Sequence, residues 1–247
     1  MTLRRTVAVV LGMALGLGSS LSASAQDAVL SGVAVRVNTG QMDEYLSRVK
    51  KLQGVMDRLD TGGSIEAWQV TAGGPATGTT LVALEYPSLV AYAESTTKTQ
   101  ADGEFQKLIS GFAGMRTIQS SSLYRQVSGP GREGDVPTGT VLQTISVRVK
   151  PGRLDDYVAK IGKLQKISER LGTSNTMRVW QATAAGEATG TVVVGVLYKD
   201  LAAYAADSTK IQSDTEWQGL VGGLDEMRSI VSMGLFLVGA IDLLWLV

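Results

Sequence analysis

Apolar and polar positions alternate with two different periods along this chain. Over residues 33–37 every second position is apolar, which is the spacing of a half-buried β-strand. Over residues 42–59 apolar residues recur three and four positions apart, so they form one stripe along a predicted helix. This helix is followed by two strands around a glycine-rich loop, then by two helical stretches and by a last strand over 116–126. The predicted order is β-α-β-β-α-β.

The same pattern occurs again 112 residues later, without a gap. The matching residues include Arg36 and Arg148, Tyr45 and Tyr157, Trp68-Gln69 and Trp180-Gln181, Tyr86 and Tyr198, and Tyr92 and Tyr204. A period this long indicates a duplicated domain rather than a solenoid. We therefore predict a first repeat over 26–127 and a second over 140–247. Residues 128–139, which are rich in Gly and Pro, form the predicted linker.

Each predicted unit has the β-α-β-β-α-β order of a ferredoxin-like fold. Its helices cover only one face of its sheet, and the other face must also be buried. Two tandem units bury both open faces by stacking them together. The predicted fold class is therefore α+β, with two ferredoxin-like units forming one pseudo-dimeric α/β barrel of eight antiparallel strands with the helices outside.

The two ends of the chain carry features outside this pattern. Residues 1–25 combine Arg4 and Arg5, an apolar run and a small-residue site ending at Ala25, the layout of a secretory signal peptide. We expect cleavage there and a periplasmic or extracellular mature protein without a transmembrane span. The C-terminal tail over 233–247 is apolar apart from Asp242. It is suited to packing on the barrel, to contact with a membrane surface or to another chain.

Composition excludes several kinds of chemistry. The 247 residues are 44% apolar, and Lys+Arg equals Asp+Glu, so the chain can bury a core and has no basic excess for nucleic acid. It contains no Cys and no His. This excludes disulfides, Ser-His-Asp triads and histidine-ligated haem, and it leaves no zinc site of the usual ligand set. We expect no metal and no cofactor.

The layout resembles the dimeric α/β-barrel superfamily, in tandem form, and within it NIPSNAP-like and antibiotic-biosynthesis-monooxygenase-like domains. The resemblance rests on Gly78 and Gly190 before strands, on the strand ends at Tyr86 and Tyr198, and on the following Ala-Tyr-Ala run at 91–93 and its counterpart. Such proteins include cofactor-independent oxygenases, haem-degrading enzymes, chlorite-dismutase-like haem proteins and isomerases. Because this chain has no His, the relatives that use His are poor models.

Arginine supplies the first candidate binding residues. Arg36 and Arg148 alternate with Val on the first strand of each unit, which directs them to the barrel interior. There they are expected to lie in or near a shared cavity and to grip a carboxylate or phosphate. The alternative is an arginine near the barrel mouth, paired with an internal acid such as Glu85.

Aromatic residues supply the other candidates. Trp68 and Trp180, with Gln69 and Gln181 beside them, are suited to stacking a flat ligand in a cavity. Tyr86 and Tyr198 are further candidate ligand-binding residues. The resemblance implies that Tyr92 and Tyr204 lie near the position of a functional His in some relatives, which makes them candidate hydrogen-bond donors. The alternative for all of them is core packing.

Two classes of function remain open. The first is an exported barrel that binds a small apolar or aromatic ligand or a protein partner, as a monomer or a weak homo-oligomer. The second is a cofactor-independent monooxygenase or isomerase acting on a small aromatic substrate. An enzyme needs a polar group against the reacting atom. Glu66 and Glu85, which have no acidic counterpart in the other repeat, are the main argument for the enzyme.

Overall fold

The computed structural model describes residues 27–132 and 134–238. The predicted signal peptide and most of the apolar C-terminal tail therefore lie outside the described residues. The first half contains β1 (Val29–Val37), α1 (Met42–Arg58), β2 (Ser64–Ala72), β3 (Thr80–Tyr86), α2 (Leu89–Ala101), α3 (Gly103–Ser110) and β4 (Arg116–Ser128). The second half repeats this order as β5 (Val141–Val149), α4 (Leu154–Arg170), β6 (Thr176–Ala184), β7 (Val192–Tyr198), α5 (Leu201–Gln212), α6 (Thr215–Gly222) and β8 (Arg228–Val238).

The eight strands close into one antiparallel barrel in the order β1-β3-β2-β8-β5-β7-β6-β4. Each half contributes four neighbouring strands, and the halves meet at two seams. At one seam Trp68 of β2 lies opposite Val238 of β8, and at the other Gln126 of β4 lies opposite Trp180 of β6. The predicted fold class, a mixed α+β barrel built from two ferredoxin-like units, is confirmed.

Each half has its own apolar core between its helices and the outer face of its strands. In the first half Val35 of β1 packs with Tyr45, Val49 and Leu52 of α1. The second half is built in the same way, from Val147, Tyr157, Ile161 and Leu164 among others. The alternation seen in the sequence thus sends the valines of β1 and β5 outward to the helices. The opposite side chains face the barrel interior.

In each half, one aspartate connects two of the helices. The Asp102 carboxylate accepts a hydrogen bond from the Phe105 backbone N–H at 2.8 Å and begins α3, and the Arg58 Nη2 donates to it at 2.9 Å. The first of these contacts, followed by the arginine, lowers the pKa of Asp102. Asp214 repeats the arrangement with Trp217 and Arg170. A side chain that caps a helix N-terminus satisfies an otherwise unpaired N–H.

The helices that the structure describes include none that is long and apolar enough to cross a membrane.

Because the two cores are separate and equivalent, the same truncation in each is expected to have a similar effect. Leu52→Ala and Leu164→Ala each remove a leucine that is at most 6% exposed, and each is expected to lower the free energy of unfolding by about 2–5 kcal/mol. Urea unfolding followed by tryptophan fluorescence measures it. Leu89→Ala, at a position 59% exposed, is the control and should change stability by less than about 0.5 kcal/mol. A large loss in only one half would contradict two equivalent cores.

Candidate functional site

The barrel interior contains a small chamber between the two halves, with a volume of about 90 Å³. Trp68 of β2 and Trp180 of β6 border it from opposite halves and are 3% and 6% exposed. The charged residues around it are Glu66, Glu85, Arg132 and Arg178, and the apolar ones include Leu30, Leu81, Ala83, Val136, Leu142 and Leu197. It is therefore an aromatic and aliphatic chamber that also contains buried charge.

An ion pair between the two halves crosses this chamber. Arg178 of β6 binds the Glu85 carboxylate of β3 with both terminal nitrogens, and its Nη1 donates to Oε2 at 2.9 Å. The Arg178 Nη2 also donates to the Gln126 Oε1 at 2.9 Å, and its guanidinium lies 4.7 Å from the centre of the Trp180 ring. A bidentate, stacked arginine of this kind has one well-defined position.

The linker between the halves closes one mouth of the barrel. Its start is fixed by Gln126, which is fully buried and whose Nε2 donates to the carbonyls of residues 128, 129 and 130. Gly129 has a φ of +101°, and a Cβ there would lie 2.5 Å from the Met177 carbonyl oxygen. Arg132 and Val136 reach down from the linker to line the chamber. The linker is thus seated on the barrel by specific contacts.

Arg132 neutralises the second buried carboxylate. Its Nη2 lies 2.8 Å from the Glu66 Oε1, with the two side chains 17% and 13% exposed. The contact has the distance of an ion pair, but Glu66 Oε1 receives no well-aligned hydrogen bond from the described residues. The Arg132 Nε donates to the Gly134 carbonyl at 3.0 Å, within the linker itself. Arg132 is therefore held less firmly than Arg178.

Burial raises the pKa of Glu66 above its ordinary value of 4.5. Arg132 opposes this shift, and the nearby Glu85 adds to it by repulsion. The Trp68 side chain and the Val136 backbone favour the charged form to a smaller extent. Since burial outweighs the attraction of Arg132, Glu66 is a carboxylate that is costly to keep ionised.

Two larger recesses flank the linker. One, of about 500 Å³, lies between the linker and the turn from α1 to β2, and it reaches Glu85 and Arg132. The other, of about 510 Å³, lies between the linker and the start of β6, and it reaches Arg132, Val136 and Arg178. Both recesses share Arg132 with the chamber. The linker and its arginine thus separate the chamber from the solvent on both sides.

The two arginines expected in or near a shared cavity do not line the chamber. Arg36 and Arg148 are on the inward-facing side of their strands, but both are exposed near the strand ends. The Arg148 Nη2 donates a long hydrogen bond, at 3.4 Å, to the Glu187 carbonyl oxygen. Neither lines the chamber, and Glu85 is paired with Arg178 rather than with either of them. Strand alternation gives the correct face, but it does not tell how far along the barrel axis a residue lies.

In the two predicted Trp-Gln pairs, the tryptophans line the interior chamber as the sequence analysis expects, and the glutamines do not. Trp68 and Trp180 line the chamber together. Gln69 and Gln181 are half-buried and follow the tryptophans directly, so they lie on the opposite face of the barrel wall. Of the four residues, the structure thus brings only the tryptophan pair together.

The four tyrosines form two pairs outside the barrel interior. The rings of Tyr86 and Tyr92 meet edge to face with centroids 5.4 Å apart, and those of Tyr198 and Tyr204 do so at 5.1 Å. Burial raises the pKa of Tyr198 to about 12. Tyr86 and Tyr198 also border the two recesses beside the linker. Their main contacts are those of packing residues between strand and helix.

Arg132, Arg178 and Gln126 are absent from the candidates that sequence reasoning proposes. Arg178 and Glu66 are counterparts in the repeat, and Glu85 corresponds to Leu197, so the halves differ where charge is buried. A comparison of the two repeats therefore identifies Glu66, Glu85 and Arg178 from the sequence, because the repeats differ at these positions. Arg132 has no counterpart because it lies in the linker, and its role follows only from the structure.

Neither family models nor curated proteins match this chain. Solved structures match it in fold. A protein from Fusobacterium nucleatum, provisionally described as a monooxygenase, has a TM-score of 0.61 at 12% identity, over 86% of this chain and 92% of that chain. One from Lactobacillus acidophilus, described in the same way, has 0.60 at 9%, over 86% and 93%. An anthrone oxidase-like protein has 0.58 at 15%, over 88% and 93%. The fold is that of the dimeric α+β barrel proteins.

The chamber does not fit a haem, the group that a structural neighbour from Thermus thermophilus, with a TM-score of 0.50 and 11% identity over 86% of this chain and 91% of that chain, is described as binding. Haem iron needs an axial ligand such as His, Cys, Met or Tyr. None of these residue types is among the described residues around the chamber. The chamber is also filled by two tryptophans and two ion pairs, which leave about 90 Å³. Within the described residues no group of three or more potential metal-ligating side chains occurs.

Seating of the linker is expected to depend on Gly129. Gly129→Ala places a methyl group against the Met177 carbonyl at a positive φ, so we expect a loss of about 1–3 kcal/mol in stability and easier quenching of tryptophan fluorescence by acrylamide. Gly162→Ala, where a Cβ has open space in a helix, is the matched control and should be neutral or stabilising. Unchanged quenching in Gly129→Ala would show that the linker does not shield the chamber.

Stability is expected to depend on pH through Glu66. Its pKa is raised in the folded state, so the folded protein binds more protons than the unfolded chain above about pH 4.5. The contribution of Glu66 to stability therefore falls as pH rises from there through its raised pKa. The urea midpoints of wild type and Glu66→Gln should differ less at pH 4, where the carboxyl is protonated, than at pH 7. Glu187→Gln, on an exposed turn, should follow wild type; parallel profiles for all three proteins would disprove the effect.

Proposed function

We propose that this protein binds a small molecule with an aromatic portion between the side chains of Trp68 and Trp180. The observation that supports the proposal is the juxtaposition of these two buried indoles around one chamber with two ion pairs. Indole faces stack on flat ligands, and a few polar groups among apolar walls are typical of binding sites.

Ligand binding between the two tryptophans requires Arg132 to move. The chamber has about 90 Å³, whereas benzene occupies a cavity of about 150 Å³. Withdrawal of the Arg132 side chain joins the chamber to the recesses of about 500 and 510 Å³ beside the linker. The chamber together with either one of these recesses falls in the range of about 300–1,000 Å³ for small-molecule pockets.

A second candidate function is a cofactor-independent oxygenase or isomerase acting on such a ligand. Glu66 favours it, because a buried carboxylate with a raised pKa beside the proposed aromatic site is suited to take a proton from a substrate. Two neighbours in fold are provisionally described as monooxygenases. A NIPSNAP-like relationship is part of the same proposal, through the motifs around Tyr86 and Tyr198. Oxygen consumption or a change in ligand mass distinguishes turnover from binding alone.

Export is part of the proposal. The arginine pair, apolar run and small-residue site of residues 1–25 support cleavage after Ala25 and a periplasmic or extracellular protein. A barrel completed within one chain does not need a partner to close, which supports a monomer or a weak homo-oligomer. The apolar tail is a candidate contact with a membrane surface or a partner protein.

Native and denaturing mass spectrometry of the protein purified from its own host test this function. The expected result is a small molecule that is released on denaturation, together with a polypeptide beginning at Gln26. Trp68→Leu should abolish the bound mass. Trp217→Leu, which removes a tryptophan packed in the second-half core, should keep it. A chamber that is empty in the native protein and that takes up no aromatic compound when these are added would overturn the binding function.

A further inference from the structure

We propose that the ligand of this chamber is a cation, an aromatic amine or amidine, which replaces the guanidinium of Arg132 at Glu66. In the protein without ligand, the guanidinium of Arg132 therefore lies at the position that the cationic group of the ligand would take, as an internal occupant of the site. This inference rests on the proposed function and adds the charge of the ligand to it.

Charge balance in the chamber is the first argument. The described charged residues around it are Glu66 and Glu85, and Arg132 and Arg178, so the closed chamber is neutral. Arg178 is fixed by its bidentate contact with Glu85, by Gln126 and by its stacking on Trp180. Arg132 is the cation that the linker brings in, and only a contact without aligned hydrogen bonds joins it to Glu66. It is thus the charge that a ligand can displace.

Displacement of Arg132 leaves Glu66 as a buried carboxylate without a partner. A buried charge must be paired or neutralised. A positively charged ligand restores the balance, and the faces of Trp68 and Trp180 add cation–π attraction. An anionic ligand would meet two carboxylates, Glu66 and Glu85, with one arginine left. A neutral ligand would require Glu66 to take up a proton.

The two recesses differ in charge, which indicates the route of the ligand. The recess on the α1 side is lined by Asp57, Glu85 and Asp135, with Arg132 as its described cation. The other recess is lined by Arg132, Arg178 and Lys199, with Asp135 as its described anion. A cation is attracted to the first and repelled from the second. Asp135 is fully exposed, and its Oδ1 already lies 3.8 Å from Arg132 Nη2, so it can receive the displaced guanidinium.

Arg132→Ala tests the inference with benzamidinium as the probe. Removing the internal occupant should strengthen benzamidinium binding at least tenfold over wild type, measured by tryptophan fluorescence and calorimetry at pH 7.5. Benzoate and benzyl alcohol, similar in shape but anionic and neutral, are the matched probes and should bind at least tenfold more weakly. Glu66→Gln added to Arg132→Ala should lower benzamidinium affinity at least tenfold. Lys50→Ala, at an exposed position of α1 outside the chamber and both recesses, is the control variant and should match wild type.

The outcomes separate this inference from the proposed function. If Arg132→Ala binds benzyl alcohol as tightly as benzamidinium, with uptake of a proton, the chamber is a binding site for neutral ligands. The inference then fails and the proposed function stands. If none of the three probes binds to either protein, the inference fails, and the mass spectrometry of the native protein decides the proposed function. Arg132→Gln gives the same comparison should the alanine variant not fold. The inference would also be overturned if the single substitution Glu66→Gln, made in the wild-type protein, left its affinity for benzamidinium unchanged.

Discussion

Buried charge inside a closed barrel is the constraint on which the arrangement of this molecule depends. Glu66 and Glu85 both face an interior that is otherwise tryptophan and aliphatic, and each needs a cation close by. Glu85 receives it from β6 of the opposite half through Arg178. Glu66 receives it from the linker through Arg132. Pairing of these carboxylates therefore connects the halves to each other and the linker to the barrel.

The interior also explains why the two halves differ. Their outer faces repeat one another closely, because each half builds the same core between helices and strands. Inside the barrel the two halves share one space, and two identical sets of charged residues would place like charges together. The replacement of Glu66 by Arg178, and of Glu85 by Leu197, in the second half avoids this and creates a complementary pair. The chamber is thus a feature of the whole barrel and of neither half alone.

The linker has a chemical role as well as a connecting one. Gln126 and Gly129 fix its start on the barrel, and from there Arg132 reaches the chamber. The closed chamber is too small for an aromatic ring, while the recesses on either side of the linker are not. Binding in the chamber and movement of Arg132 are therefore parts of a single process in the proposed function.

The pattern of amino acids is enough to predict the elements, the repeat of their order and the tryptophan pair. These follow from local periods and from spacing, which do not depend on distant contacts. The pattern also predicts the inward face for Arg36 and Arg148, whereas their exposed position at the rim follows from the folded barrel. The pairing of Arg178 with Glu85 and of Arg132 with Glu66 was likewise decided by the fold. Strand stagger across the seams and the path of the linker set these contacts, and both arise from packing between segments far apart in the chain.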